Sequence, residues 1–169
     1  MSILRLILSL VVGIVVFAVT VAGIEWIGHQ TYPVPETITD LQTAIGTAMS
    51  EGRLDDAGRL GEELEAAMSA YAQTAPTGAL LFVVFAWISG AFLGGGIAAA
   101  LAPFLRVVMA LAIALLDVAG IVMMTSQIPH PAWMPIAGVG GSLIAGLLAG
   151  LLVSAMRGPR RAASRPAAD

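Results

Sequence analysis

The sequence predicts an all-α fold: an integral membrane four-helix bundle that carries an extracytoplasmic amphipathic helical hairpin. Three observations lead there. Of the 169 residues, 58% are hydrophobic and 11% charged, with a mean hydropathy of +0.91, whereas a soluble domain carries about 25% charged residues. The apolar residues gather into four runs, each close to the roughly 20 residues that cross a hydrocarbon core about 30 Å thick. Between the first and second runs lies a polar stretch whose apolar positions keep helical spacing.

Leu6 to Ile24 form nineteen positions without a charge between Arg5 and Glu25, which sets the first span at 3–27. A cleavable signal peptide is the competing reading, since Arg5 resembles an n-region and Thr20-Val21-Ala22 a cleavage site. Its apolar region would be only about 7–15 residues long, so the run reads as a retained span. Gly78 to Leu105 holds no charge and gives a second span at 78–103. The third, 106–126, is interrupted by Asp117, and the fourth runs from Trp133 to Met156. Residues 1–156 are therefore expected to form one membrane domain. Arg157–Asp169, rich in Arg, Ala and Pro without a period, reads as a disordered cytoplasmic tail.

Positive residues near span ends are retained on the cytoplasmic side. Arg5, Arg106, Arg157, Arg160, Arg161 and Arg165 share one side only if there are four spans, so both termini are expected in the cytoplasm. The opposite side receives the 126–135 connection and the 29–77 loop, which has eight carboxylates against two arginines. Trp26, Tyr32 and Trp133 fall at that boundary, where amphipathic rings prefer the headgroup level. Eight arginines and no lysine point to a GC-rich bacterial genome, hence to a bacterial inner membrane.

Within the loop, residues 36–75 read as two helices. Thr39-x-x-Gln42 has the form of a capping box, and Ile38, Leu41, Ile45 and Met49 keep one apolar face. Ser50-Glu51-Gly52 breaks the period; Ala57, Leu60, Leu64, Ala67 or Met68, and Tyr71 resume it, with Asp55, Asp56, Glu62, Glu63 and Glu65 largely opposite. The hairpin is expected to pack on itself and cap the outer mouth of the bundle. A docking surface for another subunit is the alternative.

Lipid supplies no hydrophobic force between helices, so they associate through small residues or interhelical hydrogen bonds. Ala86, Gly90, Gly94 and Ala98 recur every four residues in the second span, and Gly138, Ser142, Gly146, Gly150 and Ser154 in the fourth. The second and fourth spans are expected to meet along these stripes, within one chain or between two copies in a homo-oligomer. A faint repeat accompanies them: each of the two span pairs has a histidine and prolines in its outer connection and a glycine-striped second helix.

Two sets of polar residues are candidates for chemistry. Asp117 is the one acid well inside a span. An ionised carboxylate there is costly, so a protonated Asp117 bonded to a hydroxyl at similar depth, Ser142 above all, with Ser89 and Thr20 nearby in level, reads as either a structural clamp or a proton site. Glu25 and His29 share a helix face at the outer surface, and topology puts His130 on the same side. Two imidazoles and a carboxylate are a plausible shell for zinc or another divalent metal; structural capping of helix ends explains them equally well. No other cofactor is evident.

The motifs Glu25-x-x-Gly28-His29-x-x-Tyr32-Pro33, Gly90-Ala91-Phe92-x-Gly94-Gly95 and Ile128-Pro129-His130-Pro131-x-Trp133 resemble those of a widespread group of small, uncharacterised four-span bacterial membrane proteins. The resemblance covers all four spans and implies the fold, without an activity. The 29–77 loop is longer than the pattern of that group.

No cysteine is present, which excludes disulfides, thiolate catalysis and Cys-ligated metals. Walker A, Gly-x-Ser-x-Gly and His-Glu-x-x-His motifs are also absent from the sequence, so nucleotide-driven or triad chemistry and zincin-type hydrolysis are not expected, and neither is a nucleic-acid partner. The leading expectation is a non-enzymatic structural or accessory component of a larger inner-membrane assembly. The alternatives are a small proton or metal-ion carrier or channel-like oligomer working through Glu25, His29, His130 and Asp117, and, behind it, a metal-dependent enzyme at the outer face.

Overall fold

The computed structural model describes residues 2–157; the expected tail disorder, with Arg160, Arg161 and Arg165, lies outside them. Six helices follow one another: α1 (Ser2–Thr31), α2 (Glu36–Ser50), α3 (Leu54–Thr74), α4 (Thr77–Leu101), α5 (Arg106–Gln127) and α6 (Trp133–Met156). Of these, α1, α4, α5 and α6 are long and apolar enough to cross a membrane, so the chain is a multi-pass membrane protein by architecture.

Prolines decide several boundaries. α1 continues past residue 27 and stops at Thr31, because Tyr32 precedes Pro33 and the residue before a proline is driven out of the helical region. For the same reason α4 ends before 103: Ala102 precedes Pro103 and is extended at φ −66°, ψ 131°. The turn into α5 closes with Leu105 in the left-handed region at φ 57°, a conformation that costs a non-glycine residue about 1–2 kcal/mol.

The expected capping box is not formed. α2 begins at Glu36, three residues before Thr39, with Pro35 at the N-cap and no side-chain cap. Pro35 has no side chain able to cap, its carbonyl accepts from the Ile38 and Thr39 amides at 3.0 and 3.4 Å, and Glu36 places a negative charge at the positive helix end. Gly52 ends α2 at φ 74°. Its amide donates to the Met49 carbonyl at 3.2 Å and the Arg53 amide to the Ala48 carbonyl at 2.9 Å, the paired bonds of a Schellman turn, which reverses the chain into α3.

α2 and α3 pack on each other, with Ile38 only 2% exposed, and neither packs along a spanning helix. The pair therefore does not cap the bundle as expected. Its approach is confined to its base, where Tyr71 shares a cavity with α1 and α4.

Among the spans α4 is central and touches α1, α5 and α6, while α1 and α6 do not meet. The small-residue stripes meet different partners from the expected ones. A Cβ on Gly94 would lie 2.7 Å from the Gly13 carbonyl oxygen and 2.8 Å from the Phe17 Cβ, and one on Gly90 would lie 2.7 Å from Val21 Cγ2; the α4 stripe is thus filled by α1. A Cβ on Gly146 would lie 2.6 Å from Ala114 Cβ, and one on Gly150 2.9 Å from Val107 Cα, so the α6 stripe faces α5. The outer end of that stripe reaches α4 as well, where Gly138 accommodates Trp87. The α4–α6 contact runs instead through Gly141 against Ile88 and through Ala91 with Ala145. Each striped helix thus packs on the span preceding it, and the faint sequence repeat becomes a repeated mode of packing.

Candidate functional site

Asp117 lies near the middle of α5 and is 4% exposed; Ser142, near the middle of α6, is fully buried. The Ser142 hydroxyl donates to Asp117 Oδ2 at 2.5 Å. The sequence-based pairing of these two residues therefore forms. It sits inside the α6 stripe, between the Gly138–Ile121 and Gly146–Ala114 approaches, where absence of a large side chain lets the helices come close enough for a serine to reach across. Thr20 does not join it: its hydroxyl donates to the Val16 carbonyl of its own helix at 2.7 Å. Ser89 lines a different groove, with Phe92, Gly141 and Ile144.

Glu25 and His29 follow each other by one turn on α1 and line a small cavity of about 70 Å³ with Tyr32, Tyr71, Phe82 and Val83. This is well below the 300–1,000 Å³ of drug-sized sites, but several times the roughly 10–15 Å³ one water needs. Tyr32 is braced edge-on against Phe82, ring centroids 6.0 Å apart at 61°, and its phenol lies over Gly78, the position at which any side chain would collide with it. The wall of the cavity is mostly apolar, with Glu25, His29, Tyr32 and Tyr71 as its polar residues, and its volume is enough for water.

His130 stands apart. It does not line that cavity. Its Nδ1 lies 2.6 Å from the Ile128 carbonyl oxygen, an approach that needs the proton on Nδ1, so the ring ties up the α5–α6 connection. Among the described residues no three His, Asp or Glu side chains gather into a group able to hold a metal. Glu25, His29 and His130 therefore do not form the shell that their shared side of the topology had made conceivable. The reason is the arrangement of the helices: α1 and α6 do not touch, and α1 meets α5 only weakly.

Tyr71 was legible in the sequence as one apolar position of α3, not as a cavity residue, and no spacing connects it to Glu25. Phe17, which fills the space over Gly90 and Gly94, carries no sequence signal beyond being an aromatic residue in a span. Comparison with known protein families, curated proteins and solved structures finds no match to the chain.

Proposed function

We propose that the chain is a non-enzymatic component of a larger bacterial inner-membrane assembly, with both termini cytoplasmic and the α2–α3 pair as its contact surface on the other side. One observation carries this reading: α2 and α3 are ordered against each other yet pack along no spanning helix. Of their eight carboxylates, Glu51, Asp56 and Glu63 pair with Arg53 and Arg59 at 2.6–2.8 Å. Glu36, Asp40, Asp55, Glu62 and Glu65 remain exposed, a surface suited to a basic partner. The buried Asp117–Ser142 bond supports a structural reading of the bundle, since an acid held by a hydroxyl between two helices is a clamp.

The absence of cysteine makes the test direct. A single Glu62→Cys carrying a photo-crosslinker is expected to yield one discrete adduct in native membranes, lost when the other four exposed carboxylates are changed to their amides and weakened by high salt. No adduct, or one indifferent to both changes, refutes the reading. Reporter fusions after Met156 and within residues 40–70 test the orientation, with opposite sides expected.

A second reading, a small carrier of protons or a metal ion, rests on the Glu25–His29 cavity. Flux in proteoliposomes that is abolished by His29→Ala would favour it.

A further inference from the structure

The α2–α3 pair is small for a unit that stands by itself. Its helices have 15 and 21 residues and pack along no spanning helix, and units of fewer than about 40 residues usually need a disulfide, a metal or a partner to hold a fold. The chain has no cysteine, and no group able to hold a metal occurs among the described residues. That leaves a partner.

The core of the pair is correspondingly slight, with Ile38, Ala48 and Ala72 as its buried residues. At about 100° per residue, Ile38, Leu41, Ala44, Ile45 and Ala48 cover roughly 120° of α2, and Ala57, Leu60, Leu64, Ala67 and Met68 roughly 100° of α3. One neighbouring helix covers a narrow seam, whereas stripes of this width face a broader core. Leu41, Ile45, Leu60, Leu64 and Met68 are accordingly left half-buried.

Charge decides what completes the cover. Asp40 stands one turn from Ala44 and Glu65 one turn from Met68, so exposed carboxylates edge the half-buried stripes of both helices. Neither pairs with an arginine among the described residues. An anionic bilayer surface attracts basic helices, and a second copy of the pair would set like charges against each other. A basic amphipathic helix supplies both the apolar cover and the countercharge.

We propose that a helix of another protein, apolar along one side with Lys or Arg flanking it, completes a three-helix core on the α2–α3 pair, its apolar side against Leu41, Ile45, Leu60 and Leu64 and its cations toward Asp40 and Glu65. This rests on the reading of the pair as a contact surface and adds the kind of partner.

The test places a photo-crosslinker on Leu60→Cys and Leu64→Cys, within the stripe, and on Gly58→Cys, where a Cβ would meet nothing within 4 Å, in the full chain in native membranes. The crosslinked segment is identified by mass spectrometry. Both leucine positions are expected to capture the polypeptide that Glu62→Cys captures, at a segment with apolar residues every three or four positions flanked by Lys or Arg. Gly58→Cys is expected to lose the adduct. An adduct to lipid or to a second copy of this chain overturns the proposal in favour of that occupant. A captured segment that is acidic or lacks the helical period overturns it too, as does equal capture from Gly58→Cys. An adduct from Glu62→Cys with none from either leucine position overturns it while the contact-surface reading stands; no adduct from any position overturns both. Should the leucine variants lose helix by circular dichroism, amide hydrogen exchange of the wild-type pair decides: slower exchange in native membranes than after purification is expected, and equal rates overturn the proposal.

Discussion

The spanning bundle and the α2–α3 pair use the same residue for opposite ends. In the bundle, Gly13, Gly90, Gly94, Gly146 and Gly150 sit where a Cβ would meet a neighbouring helix at 2.6–2.9 Å. In the α2–α3 pair, Gly46, Gly58 and Gly61 meet nothing within 4 Å. The difference follows from the solvent. Between helices in lipid there is no gain from burying hydrocarbon, so close backbone approach and dispersion contacts must hold them, and glycine permits the approach. Beside water, α2 and α3 are held by burying Ile38, Ala48 and Ala72, as in any amphipathic pair, and their exposed ion pairs add little. Glycine there only weakens the helix.

The largest effect that would break this contrast is Gly94→Leu. The new side chain would be driven into the Gly13 carbonyl and Phe17, with a loss of about 3 kcal/mol or more in chemical denaturation in detergent. Gly120→Leu and Gly140→Leu, at positions where a Cβ meets nothing within 4 Å, are expected to cause no loss, and at most a gain of about 1 kcal/mol from helix propensity. Equal losses at all three positions would remove close approach as the cause.

Next in size is the polar contact inside the bundle. Ser142→Ala leaves the Asp117 carboxyl buried without its partner and is expected to cost about 1–3 kcal/mol. Asp117→Leu costs less, because the serine hydroxyl can turn to a carbonyl one turn back in its own helix, and the double variant lies near wild type. A double variant as unstable as the sum of the two singles would show that the bond contributes nothing to joining α5 and α6.

A smaller effect has the opposite sign. Gly58→Ala and Gly46→Ala are expected to stabilise the α2–α3 pair by about 0.5–1 kcal/mol each, measured as slower amide hydrogen exchange in those helices. Gly90→Ala, whose Cβ would lie 2.7 Å from Val21, lowers stability instead. The smallest expected quantity is the coupling between His29→Ala and His130→Ala. Residues that share no partner add to within about 0.3–0.5 kcal/mol, and a larger coupling would place the two imidazoles in one site.

Much of this architecture can be read without coordinates. Length and composition select the four spans, because a run of some twenty apolar residues has few other uses, and proline positions explain where the helices stop once the residue before each proline is considered. The period of Ile38, Leu41 and Ile45 predicts α2, though its start belongs to Pro35 and Glu36, not to the capping pattern at Thr39, since several compatible N-termini lay within one turn. Depth narrows the partners of Asp117 to Ser142, Ser89 and Thr20, there being so few polar groups at that level, and the packing of α6 on α5 selects Ser142.

What the tertiary structure alone decided is which faces meet. A stripe of small residues every fourth position states that a helix is near, and two stripes of equal period carry no label for their partners. The bulk that fills one of them, Phe17 and Val21 of α1, lies in an unpatterned apolar run, and so α4 turned its stripe to α1 and α6 its own to α5. The same arrangement set Glu25 and His29 beside Tyr71, kept His130 away from them, and buried the Nε of Arg106, which sequence could place only as a charge at a turn. Sequence by itself determined the solvent each segment lives in and the side chains available at each depth, because hydropathy and helical period are local. Contacts between helices are decided by how bulk and gaps fit across several turns at once, which no local pattern contains.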